Sequence, residues 1–131
     1  MSSVFSKIIA GEIPCHRVWE DEKHIAFLDI RPIRRGHTLV VPKREVSYLF
    51  DLAPLGQAEL WEAVRKVEKL LRERLGFRRA VLMVIGWEVP HVHVHVIPTD
   101  AISDVSMPPP LKLSQAEMAE VARSIQGRDP A

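Results

Sequence analysis

The chain has 131 residues, 47% of them apolar and 27% charged, with a formal charge of +1 and a single cysteine, Cys15. That length fits one compact domain with a real core, while the charge argues against nucleic-acid or membrane binding through bulk electrostatics, and one cysteine excludes an internal disulfide. No apolar run reaches transmembrane length, and the opening stretch, with Lys7 inside it and no charged leader, is unlike a signal peptide. A cytoplasmic location is the expectation.

In chain order, alternation of apolar and polar residues between turn signals predicts strands over Arg17–Glu20 and His24–Asp29, joined by the polar turn at Asp21-Glu22-Lys23. Thr38–Val41, after Gly36-His37 and before Pro42, predicts a third strand. From Leu55 to Leu75 the period becomes helical. Leu60, Val64, Val67 and Leu71 recur at i, i+4, i+7 and i+11, with Glu62/Lys66 and Glu68/Arg72 as outward ion pairs and Gly76 as the stop. Ala80–Ile85 is a buried strand candidate. A second strand, His91–Ile97, follows after Gly86-Trp87-Glu88-Val89-Pro90, which predicts an antiparallel pair.

Beyond Ala101 the triple proline Pro108–Pro110 holds an extended segment, and Ser114-Gln115-Ala116-Glu117 is a capping box for a short helix. Met118, Val121, Ala122 and Ile125 give that helix one apolar stripe, read as docking on the body in preference to reaching a partner subunit. Residues 1–100 are thus expected to form the main body and 101–131 an arm and short helix of the same domain.

The segment His91-Val92-His93-Val94-His95-Val96-Ile97 carries three of the six histidines on alternate positions. In a strand, the valines face one side and the imidazoles the other, spaced roughly 6 to 7 Å apart. A neutral imidazole can attack phosphorus and divide one displacement into two easier ones, provided its other nitrogen holds the proton in a hydrogen bond. Its neighbours can hold the non-bridging oxygens, and His37 is a fourth candidate. Alternate histidines also suit a metal, although the outer two would diverge and no cysteine or carboxylate sits in an obvious ligand register. A solvent-facing strand with satisfied histidines is the third reading.

The run also matches the His-φ-His-φ-His-φ-φ signature (φ apolar) of the histidine triad family. Phe5–Pro14, Glu20-Asp21, Ala26–Pro32 and Gly36–Lys43 resemble that family's other blocks, in order, so that the resemblance covers most of residues 4 to 100. It implies an α+β domain with a five-stranded antiparallel sheet and one long helix, paired across a homodimer into a ten-stranded sheet. It implies a nucleotide hydrolase or transferase acting on an α-phosphate and binding a purine nucleotide or nucleotide conjugate. By the same carry-over His93 is the nucleophile, His95 and His37 assist the phosphate, and His91 orients His93. Asp29 holds the ribose hydroxyls, and Phe5, Ile8, Ile13, Phe27, Ile30 and Leu39 line the base pocket. Asp29 equally suits a turn cap, and each apolar residue equally suits a core.

Two departures stand out. Some bacterial members hold a zinc ion where this chain has Ser3, Ser6 and Glu45 beside His91, so no metal and no other cofactor is expected. The loop before the run lacks the family's Asn and hydroxyl, and Glu88 stands in the hydroxyl's place. A carboxylate beside a phosphate is repelled unless it is protonated, when it can serve as a general acid. Otherwise it points away or meets a cationic leaving group such as a lysine amine, while Trp87 covers the site or extends the leaving-group pocket. Hydrolysis of a nucleoside phosphoramidate is the first expectation. A dinucleoside polyphosphate hydrolase, nucleotidyl transfer to another acceptor, and a catalytically weak nucleotide-binding protein of the same fold are the alternatives.

Overall fold

The computed structural model describes residues 2–127. A short helix, α1 (Val4–Ile9), leads into strands β1 (Arg17–Glu20), β2 (His24–Leu28) and β3 (Thr38–Pro42). The long helix α2 (Pro54–Leu75), strands β4 (Arg79–Val84) and β5 (Val94–Thr99), and the helix α3 (Gln115–Gln126) follow. All strands join one antiparallel sheet in the order β1-β2-β3-β5-β4. The expected α+β class, with a five-stranded antiparallel sheet and one long helix, is what the chain forms.

The sheet has a core on each face. On one, Leu60, Ala63, Val64, Val67 and Leu71 of α2 meet Ala26, Val40, Val92, Val94 and Val96; on the other, Phe5 of α1 meets Ile25, Phe27, Leu39 and Val41. Because side chains alternate along a strand, β2 and β3 feed both cores and read as nearly continuous apolar runs. Pro54 opens α2 where a missing N–H is harmless, and Gly76, at φ 74°, closes it in the left-handed region. Glu68 pairs with Arg72 as expected, but Glu62 turns to Arg65 rather than Lys66. Gly36 has φ +90°, and a Cβ there would strike Leu75 Cδ1, so the turn that delivers His37 favours glycine.

Four readings are corrected. β4, expected as a buried strand, is the edge of the sheet, and none of its residues is buried, with Leu82 and Val84 exposed. The histidine strand begins at Val94, not His91. β3 ends at Pro42, which has no N–H to extend the ladder, and its carbonyl takes the His91 side chain instead. The inward valines and outward histidines nevertheless keep their alternation. The N-terminal segment, for which no element was assigned, forms α1, capped by the Ser3 hydroxyl on Ser6 N–H. Finally, α3 has its capping box, but no residue of it is buried, and Met118, Val121 and Ile125 remain exposed. The expected docking of an apolar stripe on the body is therefore not seen, and the helix follows an extended run from Ser106 to Leu113.

Candidate active site

The face of the sheet opposite α2 carries a cavity of about 450 Å³. Phe5, Ile8, Ile13, Phe27, Ile30, Leu39, Asp29, Glu88, His93 and His95 all line it, so ten residues singled out in the sequence come together. Ile30 is the outlier among the apolar ones, since it is exposed at the rim and encloses little. His37 and His91 do not line the cavity. They lie behind its wall, 2% and 0% exposed, and act on it only through their neighbours. Arg31, the one Lys or Arg lining the cavity among the described residues, was missed although it stands between Asp29 and Pro32. Trp87 is almost fully exposed and takes no part in the wall, while Trp19 packs on the α2 side.

Hydrogen-bond logic assigns a tautomer to each of the four imidazoles His37, His91, His93 and His95. The Ile33 N–H donates to His37 Nδ1 at 3.1 Å, so the neutral His37 carries its proton on Nε2. That N–H faces His95 Nδ1 at 2.9 Å, which must then accept, placing the His95 proton on Nε2. His93 Nδ1 lies 2.7 Å from the His91 carbonyl oxygen, which can only accept. His93 therefore carries its proton on Nδ1 and keeps the lone pair on Nε2 free. His91 Nε2 donates to the Pro42 carbonyl at 2.7 Å, so its Nδ1 accepts from the Ser3 hydroxyl, also at 2.7 Å. The His93 and His95 rings, 5.1 Å apart, thus bring one nucleophilic lone pair and one N–H donor to the same cavity.

Electrostatics agree with neutral rings. Burial pushes His93 and His37 below the ordinary imidazole pKa, against the pull of the His91 carbonyl on His93 and of Asp29 on His37. His95 falls to about 4, first from burial and then from its two imidazole neighbours. Asp29 performs the turn role as well as lining the cavity. Its Oδ1 accepts the Arg31 N–H at 2.9 Å, while Oδ2 lies 3.6 Å from His37 Nε2 and 3.9 Å from His95 Nδ1.

Two groups of side chains invite a metal, and neither fits one. Asp29, His37 and His95 present ligand atoms within 4.8 Å of one another. Yet coordination by His37 Nε2 would need the proton on Nδ1, where the Ile33 N–H already points, setting donor against donor. At Ser3, Ser6, Glu45 and His91 the hydroxyl protons go to Glu45 and His91. The oxygen donors there are satisfied by one another, and a thiolate set is missing.

The fold and the cavity together define a small α+β domain with a nucleophile-ready imidazole on its open sheet face. The HIT domain family matches residues 10–102. An uncharacterized HIT-like protein of Methanocaldococcus jannaschii is 42% identical over 100 residues, covering 72% of this chain and 77% of that protein. The adenosine 5'-monophosphoramidase of Schizosaccharomyces pombe is 36% identical over 99 residues, covering 75% of this chain and 74% of that one. Among solved structures, a HIT family member from Bacillus subtilis superposes with a TM-score of 0.83 at 28% identity, over 100% of this chain and 99% of its own. A zinc-bound histidine triad family protein from Mycobacterium smegmatis gives 0.74 at 29% identity, over 98% and 99%. This chain belongs to the HIT family.

Proposed function

We propose that the protein is a nucleotide hydrolase that cleaves a nucleoside phosphoramidate or a related nucleoside monophosphate conjugate through a nucleotidyl-histidine intermediate. The observation that carries this reading is the His93 Nδ1 contact to the His91 carbonyl, which leaves Nε2 unprotonated at the wall of an apolar cavity. The relative named as an adenosine 5'-monophosphoramidase supports the substrate class.

In the first step His93 Nε2 forms a bond to the α-phosphorus as the phosphorus–nitrogen bond to the leaving amine breaks, and the amine takes up a proton from solvent, which the attacking water returns in the second step. In the second, water attacks the phosphorus, the phosphorus–histidine bond breaks, and the nucleoside monophosphate leaves with neutral His93 restored. His95 donates its Nε2–H to a non-bridging oxygen as charge develops, and His37 keeps that donor aimed by holding His95 Nδ1. Asp29 accepts the ribose hydroxyls, and Phe5, Ile8, Ile13, Phe27 and Leu39, with Ile30 at the rim, enclose a purine base. Glu88 faces the leaving group, where a carboxylate suits a cationic amine. Two copies pair through the free edge of β4, where Leu82 and Val84 are exposed, to continue the sheet across a homodimer.

The test is incubation with adenosine 5'-phosphoramidate, with intact-mass measurement after rapid quenching. The expected result is release of AMP and one adenylyl group on the peptide containing His91–His95, absent from His93→Ala. No turnover and no adduct, with AMP still bound, would make the protein a nucleotide-binding module instead. Faster turnover of a dinucleoside polyphosphate would move the substrate assignment and leave the nucleophile in place.

A further inference from the structure

A closed polar network at the start of α1 has no direct part in the chemistry above, yet it ends on the triad. Glu45 Oε1 accepts the Ser3 N–H at 2.6 Å and the Ser6 hydroxyl at 2.7 Å. The Ser3 hydroxyl accepts the Ser6 N–H at 3.0 Å and donates its own proton to His91 Nδ1 at 2.7 Å. Across the ring, His91 Nε2 donates to the Pro42 carbonyl. We propose that Ser3, Ser6 and Glu45 are positioning residues, a metal-free clamp that pins the His91 ring and thereby the backbone carbonyl that sets the tautomer of His93. The tautomer part of this inference stands alone, and its catalytic consequence rests on the hydrolase reading.

The His91 ring is fully buried, so each of its nitrogens must find a partner within the protein. Without the Ser3 hydroxyl, Nδ1 keeps only the Ser6 hydroxyl, 3.5 Å away and already donating to Glu45, so the buried acceptor is left poorly satisfied. The ring escapes that penalty only by turning or by moving its proton, and either change releases Pro42. The residue 91 carbonyl then loses its anchor, and His93 loses the acceptor that keeps the proton off Nε2. A second path runs the same way. Phe5, on the helix that Glu45 holds, packs edge-on against His93 with ring centres 4.8 Å apart and against His91 at 5.9 Å. The Ser3 N–H and then the Ser6 hydroxyl hold the Glu45 carboxyl down at about 2, so the clamp is charged at any working pH.

The deciding experiment records imidazole ¹⁵N shifts of the ligand-free protein and steady-state turnover of adenosine 5'-phosphoramidate for Ser3→Ala, Ser3→Thr and Glu45→Ala. In wild type, His93 should show a single Nδ1–H pattern. In Ser3→Ala that pattern should move toward an average of the two tautomers, and kcat should fall about tenfold or more with KM within about twofold, the scale typical of groups that fix an imidazole tautomer. Ser3→Thr, which keeps the hydroxyl, should restore both readouts. Glu45→Ala should shift both in the same direction by less and decides the matter if Ser3→Ala fails to fold. A lowered melting temperature with unchanged ¹⁵N pattern and kcat would overturn the clamp, leaving a helix cap only. If wild type turns over no phosphoramidate, the hydrolase reading fails while the ¹⁵N comparison still decides the clamp.

Discussion

Two rows of side chains leave the segment from His91 to Val96 in opposite directions, and both are buried. Val92, Val94 and Val96 meet α2, whereas His91 and His93 are buried on the other face with His95 half-buried beside them. The valine row needs only shape, since apolar burial is non-directional. The histidine row needs a donor or acceptor for each enclosed nitrogen, and the partners come from dispersed places: Ser3 ahead of α1, Pro42 at the end of β3, His37 before it, and the chain's own carbonyl at residue 91. Equal burial thus imposes unequal demands. One row is set by volume and the other by proton bookkeeping.

The comparison breaks most sharply at its centre. His93→Ala should lower phosphoramidate turnover per folded molecule by about a thousandfold or more, because the nucleophile is removed. It also loses whatever stability the Phe5 contact and the His91 carbonyl's partner supplied. Turnover assays beside thermal melts check it. On the opposite row, Val96→Ala should lose on the order of 2 kcal/mol of stability in denaturant titrations through the cavity it opens, and retain kcat per folded molecule. If both substitutions reduced both quantities alike, the rows would not be functionally separate.

Gly36→Ala links the rows through the turn that delivers His37. Positive φ and the collision with Leu75 should lower stability by about 1–3 kcal/mol, with a loss of kcat if His37 shifts against His95.

Mild acid, above the carboxylate range, should act through the histidine row. The unfolded chain takes up imidazole protons near pH 6.5, whereas burial delays that uptake in the folded protein, to about 4 for His95. Between those values the unfolded state binds more protons. The His95 contribution is therefore complete above about 6.5, falls as the pH drops, and levels off below about 4, a loss on the order of 3 kcal/mol. The lowered carboxylates, Glu45 among them, carry the further loss at lower pH. Denaturation midpoints across this window test the sign. The acid limb of kcat/KM should likewise lie below 6.5, since His93 stays neutral to lower pH than a free imidazole. The smallest effect belongs to the arm: removing residues 106–131 should leave the denaturation midpoint of the body almost unchanged, because no residue of α3 is buried and only Arg123 is half-buried.

Much of this was legible in the chain, and the failures have physical reasons. Alternation marked β1 and β2, turn signals and Pro42 bounded β3, an apolar run marked β4, and the 3.6 period marked the long helix, because residues that face a core are apolar. β4, apolar yet unburied at the sheet edge, shows that apolarity does not by itself report burial. The start of β5 was not legible, since it depends on Pro42 in another strand lacking an N–H. α1 is too short for periodicity, although Ser3 before Val4 and Phe5 is a cap signal. The stripe on α3 looked like docking, and periodicity says that a helix has an apolar face without saying what covers it. At the site, the alternating run located the three histidines, and the family resemblance pointed to Asp29. Which imidazoles touch the cavity and which stand behind it follows from hydrogen bonds made by residues dozens of positions away, as with Ser3 and His91.

Cys15, the chain's single thiol, stands half-buried in the cavity wall near Phe27 and Ile13. The protein therefore carries a built-in reporter of occupancy. A thiol-directed reagent should compete with whatever fills that space, so the rate at which this one sulfur is alkylated, measured with and without a nucleotide present, reads out binding without a dye, an inserted handle or any turnover.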